Sequence, residues 1–289
     1  MPLIELFQAS PAAFTAAVFV FSLLVGSFLN VVILRLPRML EAEWRQQCAE
    51  LNGLEPAAEP KFGLAWPPST CPHCQHRIRP WENIPVISYL WLRGRCSACA
   101  ARISPRYPVI ELATALLSAA VAWRFGFGAA ALAGIVLTWA LIALSVIDFD
   151  HQILPDVITL PVLWLGLLLS LDGVFVSAET SIIGAAAGYL SLWAVYHAFR
   201  LLTGKEGMGY GDFKLLALLG AWLGWQSLPL IILLSSLVGA VVGIGLILLR
   251  GRDRNIPIPF GPYLAAAGWL ALLWRDELIR FYLRAMGLN

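Results

Sequence analysis

The sequence predicts an all-α, polytopic membrane protein with about eight transmembrane helices and one small polar domain between the first two. Three observations predict this. Of its 289 residues, 59% are hydrophobic and 13% charged, with mean hydropathy +0.75; a soluble domain carries about 25% charge. The apolar residues fall into runs suited to a hydrocarbon core of about 30 Å. Most charges of the N-terminal half, and all five cysteines, four of them in two Cys-x-x-Cys pairs, fall between residues 37 and 106.

The first span covers 12–34 and holds no charge. No basic residue precedes it and no clear small-residue cleavage site follows, so the run is expected to stay as an anchor rather than be removed. Asn30 lies inside it. The bland expectation is an interhelical hydrogen bond worth about 1 kcal/mol; the alternative is a place near an active site. Arg35 and Arg38 end the span and favour the cytoplasmic side.

Residues 37–106 form the large polar segment. A charged, helical piece (Glu41, Glu43, Arg45, Glu50) leads into a Pro- and Ala-rich link at 54–68. Then come Cys71-Pro72-His73-Cys74 and, after twenty-one residues, Cys96-Ser97-Ala98-Cys99. Two Cys-x-x-Cys pairs at this spacing suit a closed tetrahedral zinc site of the zinc-ribbon type, with a folding role. A segment this poor in apolar residues needs such a staple, and a reducing cytoplasm argues against disulfides. His73 and His76 are possible replacements for a sulfur, and Cys48 stands apart.

Seven further spans are read at 107–123, 129–147, 157–171, 182–202, 213–223, 228–249 and 261–283. The piece at 213–223 is short and is expected to be tilted or to sit in a thinned region. The working division is therefore 1–36 as first span, 37–106 as tetracysteine domain and 107–289 as a seven-span core. Arg200, Lys205, Arg250, Arg252 and Arg254 fall in loops on the side of Arg35, whereas the opposite loops carry Arg124 alone. This places the N-terminus outside. Arg275, Arg280 and Arg284 near the C-terminus are the exception. Gly184-x3-Gly188 and Gly239-x3-Gly243 offer close helix packing.

The same count of spans puts Asp148 and Asp212 on one, cytoplasmic, face. Asp148 ends an apolar run. Asp212 follows Gly207-Met208-Gly209-Tyr210-Gly211, glycines that permit a sharp bend or a close approach. Intramembrane carboxylates are costly without a task or a partner. Two close together share a proton, so one can activate water while the other polarises a carbonyl. The structural alternative is a helix cap for Asp212 or a pair with Lys214. Asp156 reads as a helix N-cap, Asp150 and His151 as water-facing loop residues. Glu111 in the second span is a functional candidate or the partner of an arginine. No P-loop, nucleotide fingerprint or Ser-His-Asp pattern stands out, and no feature points to nucleic acid or sets an oligomeric state.

Taken together these residues resemble the bacterial type IV prepilin peptidases. The match runs through Gly26-Ser27-Phe28-Leu29-Asn30-Val31-Val32, the cysteine pairs, Arg79-Pro80-Trp81-Glu82-Asn83-Ile84-Pro85 and Asp148 with Leu154-Pro155-Asp156. It continues through Gly209-Tyr210-Gly211-Asp212-Phe213-Lys214 and Pro257-Ile258-Pro259-Phe260-Gly261-Pro262-Tyr263. The resemblance implies a multi-pass bacterial inner-membrane enzyme. Its substrates would be type IV prepilins and type II secretion pseudopilins, whose basic leader is cut after glycine on the cytoplasmic side. N-methylation of the new N-terminal residue, usually phenylalanine, by S-adenosylmethionine would follow. It also implies Asp148 and Asp212 as the catalytic pair, Gly209, Gly211 and Lys214 as motif support, and Cys71, Cys74, Cys96 and Cys99 as zinc ligands. The methyl-donor site is not legible. Rival readings are an intramembrane Gly-x-Gly-Asp protease with other substrates, and a proton-relaying transporter or scaffold.

Overall fold

In a computed structural model, residues 2–54, 62–250 and 258–285 are described. Part of the Pro- and Ala-rich link, Arg252, Arg254 and Pro257 lie outside these residues. Among those described there are ten α-helices and no strand, only two isolated β-bridges. The helices are α1 (Pro2–Ala9), α2 (Pro11–Leu51), α3 (Ile87–Trp91), α4 (Arg106–Phe125) and α5 (Ala129–His151). They continue with α6 (Asp156–Leu169), α7 (Ala178–Thr203), α8 (Tyr210–Leu223), α9 (Leu228–Arg250) and α10 (Gly261–Ala285).

Each anticipated span falls on a helix. Among the described residues, five stretches, in α2, α4, α5, α7 and around α9, are long and apolar enough to cross a membrane by length and composition. The shorter α6 and α8 have 14 residues each, about 21 Å at 1.5 Å per residue. In α8 everything from Phe213 to Leu223 except Lys214 is buried. A helix jacketed by protein need not match the thickness of lipid, which accounts for its length.

The chain divides into two compact units, Met1–Phe127 and Gly128–Asn289. In the first, α2 packs on α4. Ser10 caps α2 by accepting from the Ala13 amide, and Pro11 opens it, where a missing N–H costs nothing. The charged piece after the first span is no separate helix, because α2 runs on through Pro37 to Leu51. At Gly26 an added Cβ would lie 2.7 Å from Glu111 Cα, so glycine sets how closely α2 and α4 approach. Asn30 Nδ2 donates to the Tyr107 carbonyl at 3.2 Å. This is the interhelical bond expected of it.

In the second unit, α8 is the centre, surrounded by α6, α7 and α10. Polar clasps fix the neighbours. Ser181 Oγ donates to the Ala221 carbonyl at 2.6 Å and Trp222 Nε1 to the Val162 carbonyl at 2.8 Å. Trp269 Nε1 donates to Thr138 Oγ1 at 3.2 Å, joining α10 to α5. Gly184 and Gly188 lie directly on the α8 backbone at Gly220 and Leu216, the close approach their spacing suggested. Gly239 instead faces the Tyr263 ring. Between them these contacts hold the C-terminal end of α5, the N-terminal end of α8 and the start of α10 in one neighbourhood.

Candidate active site and metal centre

Asp148 is in the last turn of α5 and Asp212 in the first turn of α8; both are buried. Leu154 bridges their surroundings. Its Cβ lies 2.8 Å from where a Cβ on Gly211 would stand, and its Cδ2 3.2 Å from the corresponding point at Gly261. The carboxylates are inequivalent, since Asp212 sits at the positive end of one helix dipole and Asp148 at the negative end of another. Compensating donation reaches Asp148 from outside its helix: the Gly261 amide donates to Asp148 Oδ2 at 2.9 Å.

Gly261 was not singled out as a site residue. The available signal was its place in Pro259-Phe260-Gly261-Pro262, between two apolar runs. A Cβ there would stand 2.7 Å from Asp148 Oδ2, so the amide reaches the carboxylate only because the residue is glycine.

Gly207 and Gly211 act by close approach rather than by a bend. Gly209 is the N-cap of α8 in ordinary extended conformation, φ −83° and ψ 151°. The turn itself is made upstream, where Gly204 ends α7 at φ +69°. Gly207 lies against the Phe199 ring and Gly211 against Leu154. Tyr210 stacks near Tyr196 and Phe213, with centroids 5.4 and 5.3 Å away, and fixes the first turn of α8.

Lys214 does not pair with Asp212. Its Nζ donates to both Asp156 oxygens, at 2.8 and 2.7 Å. Asp156 in turn is not the N-cap of α6: Pro155 holds that place and Asp156 is the first helical residue. The ion pair therefore ties α6 to α8 beside the carboxylates and leaves Asp212 without a neutralising lysine. Asp150 and His151 are exposed but belong to the last turn of α5, not to a loop.

Among the described residues, Glu111 has no arginine partner of the kind expected. Its Oε2 accepts from the Val86 amide at 2.8 Å, and the Ser27 hydroxyl bonds to its carboxylate.

The four cysteines come together. The sulfurs of Cys71, Cys74, Cys96 and Cys99 all lie within 4.8 Å of one another, with Cys71 to Cys99 at 3.8 Å and Cys74 to Cys96 at 3.9 Å. A tetrahedral zinc with Zn–S of about 2.3 Å needs sulfurs about 3.8 Å apart, so the donor set fits zinc. The two loops repeat one geometry. Gln75 N donates to Cys71 O and Cys71 N to His76 O, as Ala100 N does to Cys96 O and Cys96 N to Ala101 O. Gln75 and Ala100 both take positive φ, 58° and 57°. Bridges Thr70–Arg77 and Arg95–Arg102 close the loops.

Amides aimed at the sulfurs favour thiolate. Those of Cys74 and His73 lower Cys71 to about 7. Against the pull of the His76 amide, burial and the neighbouring sulfurs push Cys74 up to about 12. His76 is not part of the four-sulfur cluster among the described residues; its Nε2 meets Glu82 Oε2 at 3.2 Å. Glu82 is the latch of this segment, accepting from the Arg79 amide at 2.8 Å and the Ser97 hydroxyl at 2.6 Å. The Arg79 amide, with Ser97 and His76, holds its carboxyl down at about 2. Cys48 is exposed on α2 and outside the cluster.

A family model for the bacterial peptidase A24 N-terminal domain matches residues 20–125, and one for the Type IV leader peptidase family matches residues 135–244. A prepilin leader peptidase/N-methyltransferase of Pseudomonas aeruginosa is 58% identical over 290 residues, covering 99% of both chains. One of Aeromonas hydrophila is 60% identical over 97% of this chain and 98% of its own. One of Legionella pneumophila is 46% identical over 91% and 92%. No solved structure gives a significant match.

Proposed function

The chain belongs to the Type IV leader peptidase family, and from that premise we propose that it is a membrane-embedded aspartic endopeptidase and N-methyltransferase of the bacterial inner membrane. It removes the basic leader of type IV prepilins and type II secretion pseudopilins after glycine, then methylates the new N-terminal amine. The observation that carries the peptidase reading is the pair of buried carboxylates, Asp148 and Asp212, whose surroundings Leu154 bridges, with the Gly261 amide on one of them.

The chemistry follows from a pair that shares one proton. The ionised member takes a proton from a water, whose oxygen attacks the scissile carbonyl, while the protonated member gives its proton to the carbonyl oxygen. Collapse of the diol breaks the C–N bond: one hydroxyl returns its proton to the second carboxylate as the carbonyl re-forms, and the first carboxyl, now protonated, delivers its proton to the leaving amine. Lys214, held on Asp156, supports the approach to Asp212 rather than neutralising it. Gly211 lets Leu154 come close, and Gly209 is the N-cap of α8.

In the arrangement we propose, the N-terminus is periplasmic and the active site faces the cytoplasm. Residues 1–36 anchor the chain, 37–106 form the cytoplasmic zinc-holding domain and 107–289 the membrane core. Cys71, Cys74, Cys96 and Cys99 would hold the zinc, a closed site that supports folding. S-adenosylmethionine supplies an electrophilic methyl group to the freed amine. With no strand among the described residues, helices and loops rather than a glycine-rich strand turn would hold it.

The test is the mass of a purified prepilin incubated with the enzyme in detergent, with and without S-adenosylmethionine. Loss of the leader, plus one methyl group when the donor is present, is expected. An unchanged precursor with folded, zinc-loaded enzyme overturns the proposal and favours a transporter or scaffold. Asp148→Asn and Asp212→Asn should each abolish cleavage; two active single variants would exclude the carboxylate pair.

A further inference from the structure

One segment of the first unit is unexplained by peptidase chemistry. Residues 80–91 carry Trp81, Ile84, Ile87, Leu90 and Trp91, all exposed, with Leu90 at 68% and Trp91 at 77%. Such a cluster on a short turn and a five-residue helix is unusual at a water-facing surface.

The segment is also held under strain. Val86 has φ 60° and ψ −47°, and the Ile87 amide donates to the Pro85 carbonyl at 2.6 Å. This is a γ-turn of the rare, strained hand, on a β-branched residue that seldom takes positive φ. Strain of this kind persists only where the surroundings impose it. Here Glu111 Oε2 takes the Val86 amide and Asn83 Nδ2 donates to Ser27 Oγ at 3.4 Å. Ser88 Oγ accepts from the Ile84 amide and donates to the Trp81 carbonyl.

Those anchors fix a depth. Glu111 lies five residues into α4 from Arg106, about 7.5 Å along the helix. Ser27 lies eight residues before Arg35 on α2, about 12 Å. Both helices run from a basic end toward the apolar interior, so both bonds hold the turn on the hydrocarbon side of the basic residues. The flanks carry the complementary charge. Between residues 77 and 106 there are six arginines (77, 79, 93, 95, 102 and 106) and one carboxylate, Glu82, which is occupied by Arg79 N and Ser97.

We propose that residues 80–91 form a wedge inserted into the adjacent lipid leaflet. Ile84, Ile87, Leu90 and Trp91 contact acyl chains, while the arginines on either side bind anionic lipid headgroups. Tryptophans belong at that level of a bilayer, and basic clusters there attract anionic lipid. The wedge thereby holds the tetracysteine loops against the membrane surface.

The experiment places p-benzoylphenylalanine at Leu90, and separately at Ile87, in the full chain. Enzyme in nanodiscs of phosphatidylcholine and phosphatidylglycerol is irradiated and its adducts are read by mass spectrometry. A probe at Leu51, exposed at the far end of α2, is the control. Phospholipid adducts at 87 and 90 but not at 51 are expected. Absence of lipid adducts at both positions, in protein that retains its zinc, overturns the proposal. So does crosslinking to a second copy or to added prepilin instead of lipid. Arg93→Gln should reduce the phosphatidylglycerol retained on purification; retention at the wild-type level would overturn the headgroup contact. None of these readouts depends on cleavage.

Discussion

Replacing Gly261 with alanine isolates the contact that orders the carboxylate pair. The new Cβ would stand 2.7 Å from Asp148 Oδ2 and 3.1 Å from its Cγ, closer than side-chain carbons approach other groups. Either α10 or the Asp148 side chain must shift. In both cases the 2.9 Å bond from the Gly261 amide is lengthened or lost. A hydrogen bond to a charged group is worth about 1.5–3 kcal/mol, so kcat/KM should fall about tenfold to about 150-fold. The fold should tolerate the change, because Gly261 opens a helix, where alanine is the better former. Gly209→Ala is the control. Its Cβ would meet Asp212 Oδ2 at 3.9 Å, ordinary contact. The N-cap preference it loses is about 1 kcal/mol or less of stability, and the carboxylates keep their contacts, so cleavage should stay near the wild-type rate. The assay is leader cleavage of a prepilin followed by mass, with thermal unfolding run alongside. Full activity of Gly261→Ala, or equal damage from Gly209→Ala, would refute the reasoning.

Lys214→Met and Asp156→Asn should each lower stability modestly, and a double-mutant cycle in thermal unfolding should give a coupling of about 1 kcal/mol or less for so exposed a pair; strict additivity would show the ion pair inert. Glu82, held at about 2 against an ordinary 4.5, stabilises the fold fully above the ordinary value and progressively less as pH falls from there toward 2. Wild type and Glu82→Gln should therefore differ in unfolding temperature at neutral pH and converge in acid, and a constant difference would contradict the latch. Removing the metal with a chelator, or introducing Cys71→Ser, should lower the unfolding temperature and expose residues 62–104 to proteolysis. An unchanged digestion pattern would deny the site its folding role.

Why some of this was legible in the sequence, and some not, comes down to the range of the forces involved. Hydrophobic runs and the arginines flanking them are local properties of the chain, and counting them is enough to expect the end of α5 with Asp148 and the start of α8 with Asp212 on one face. The cysteine spacing is equally local, since each loop closes on itself through bonds such as Gln75 N to Cys71 O. Asn30 needed only an adjacent helix with a carbonyl to spare. Partner choice among groups of like charge is different. Lys214 had Asp212 two residues away and took Asp156, 58 residues distant, because residues two apart on a helix point to nearly opposite sides of it. Glu111 found the strained amide of Val86 rather than an arginine, and Asp148 found Gly261 across 113 residues. Such contacts are decided by sub-ångström fit between elements that meet only when the helices pack. The sequence by itself determined the helices, the common face of the aspartates and the metal loops. Tertiary structure alone decided which group each carboxylate holds, because a hydrogen bond is made or lost over distances that no spacing along the chain specifies.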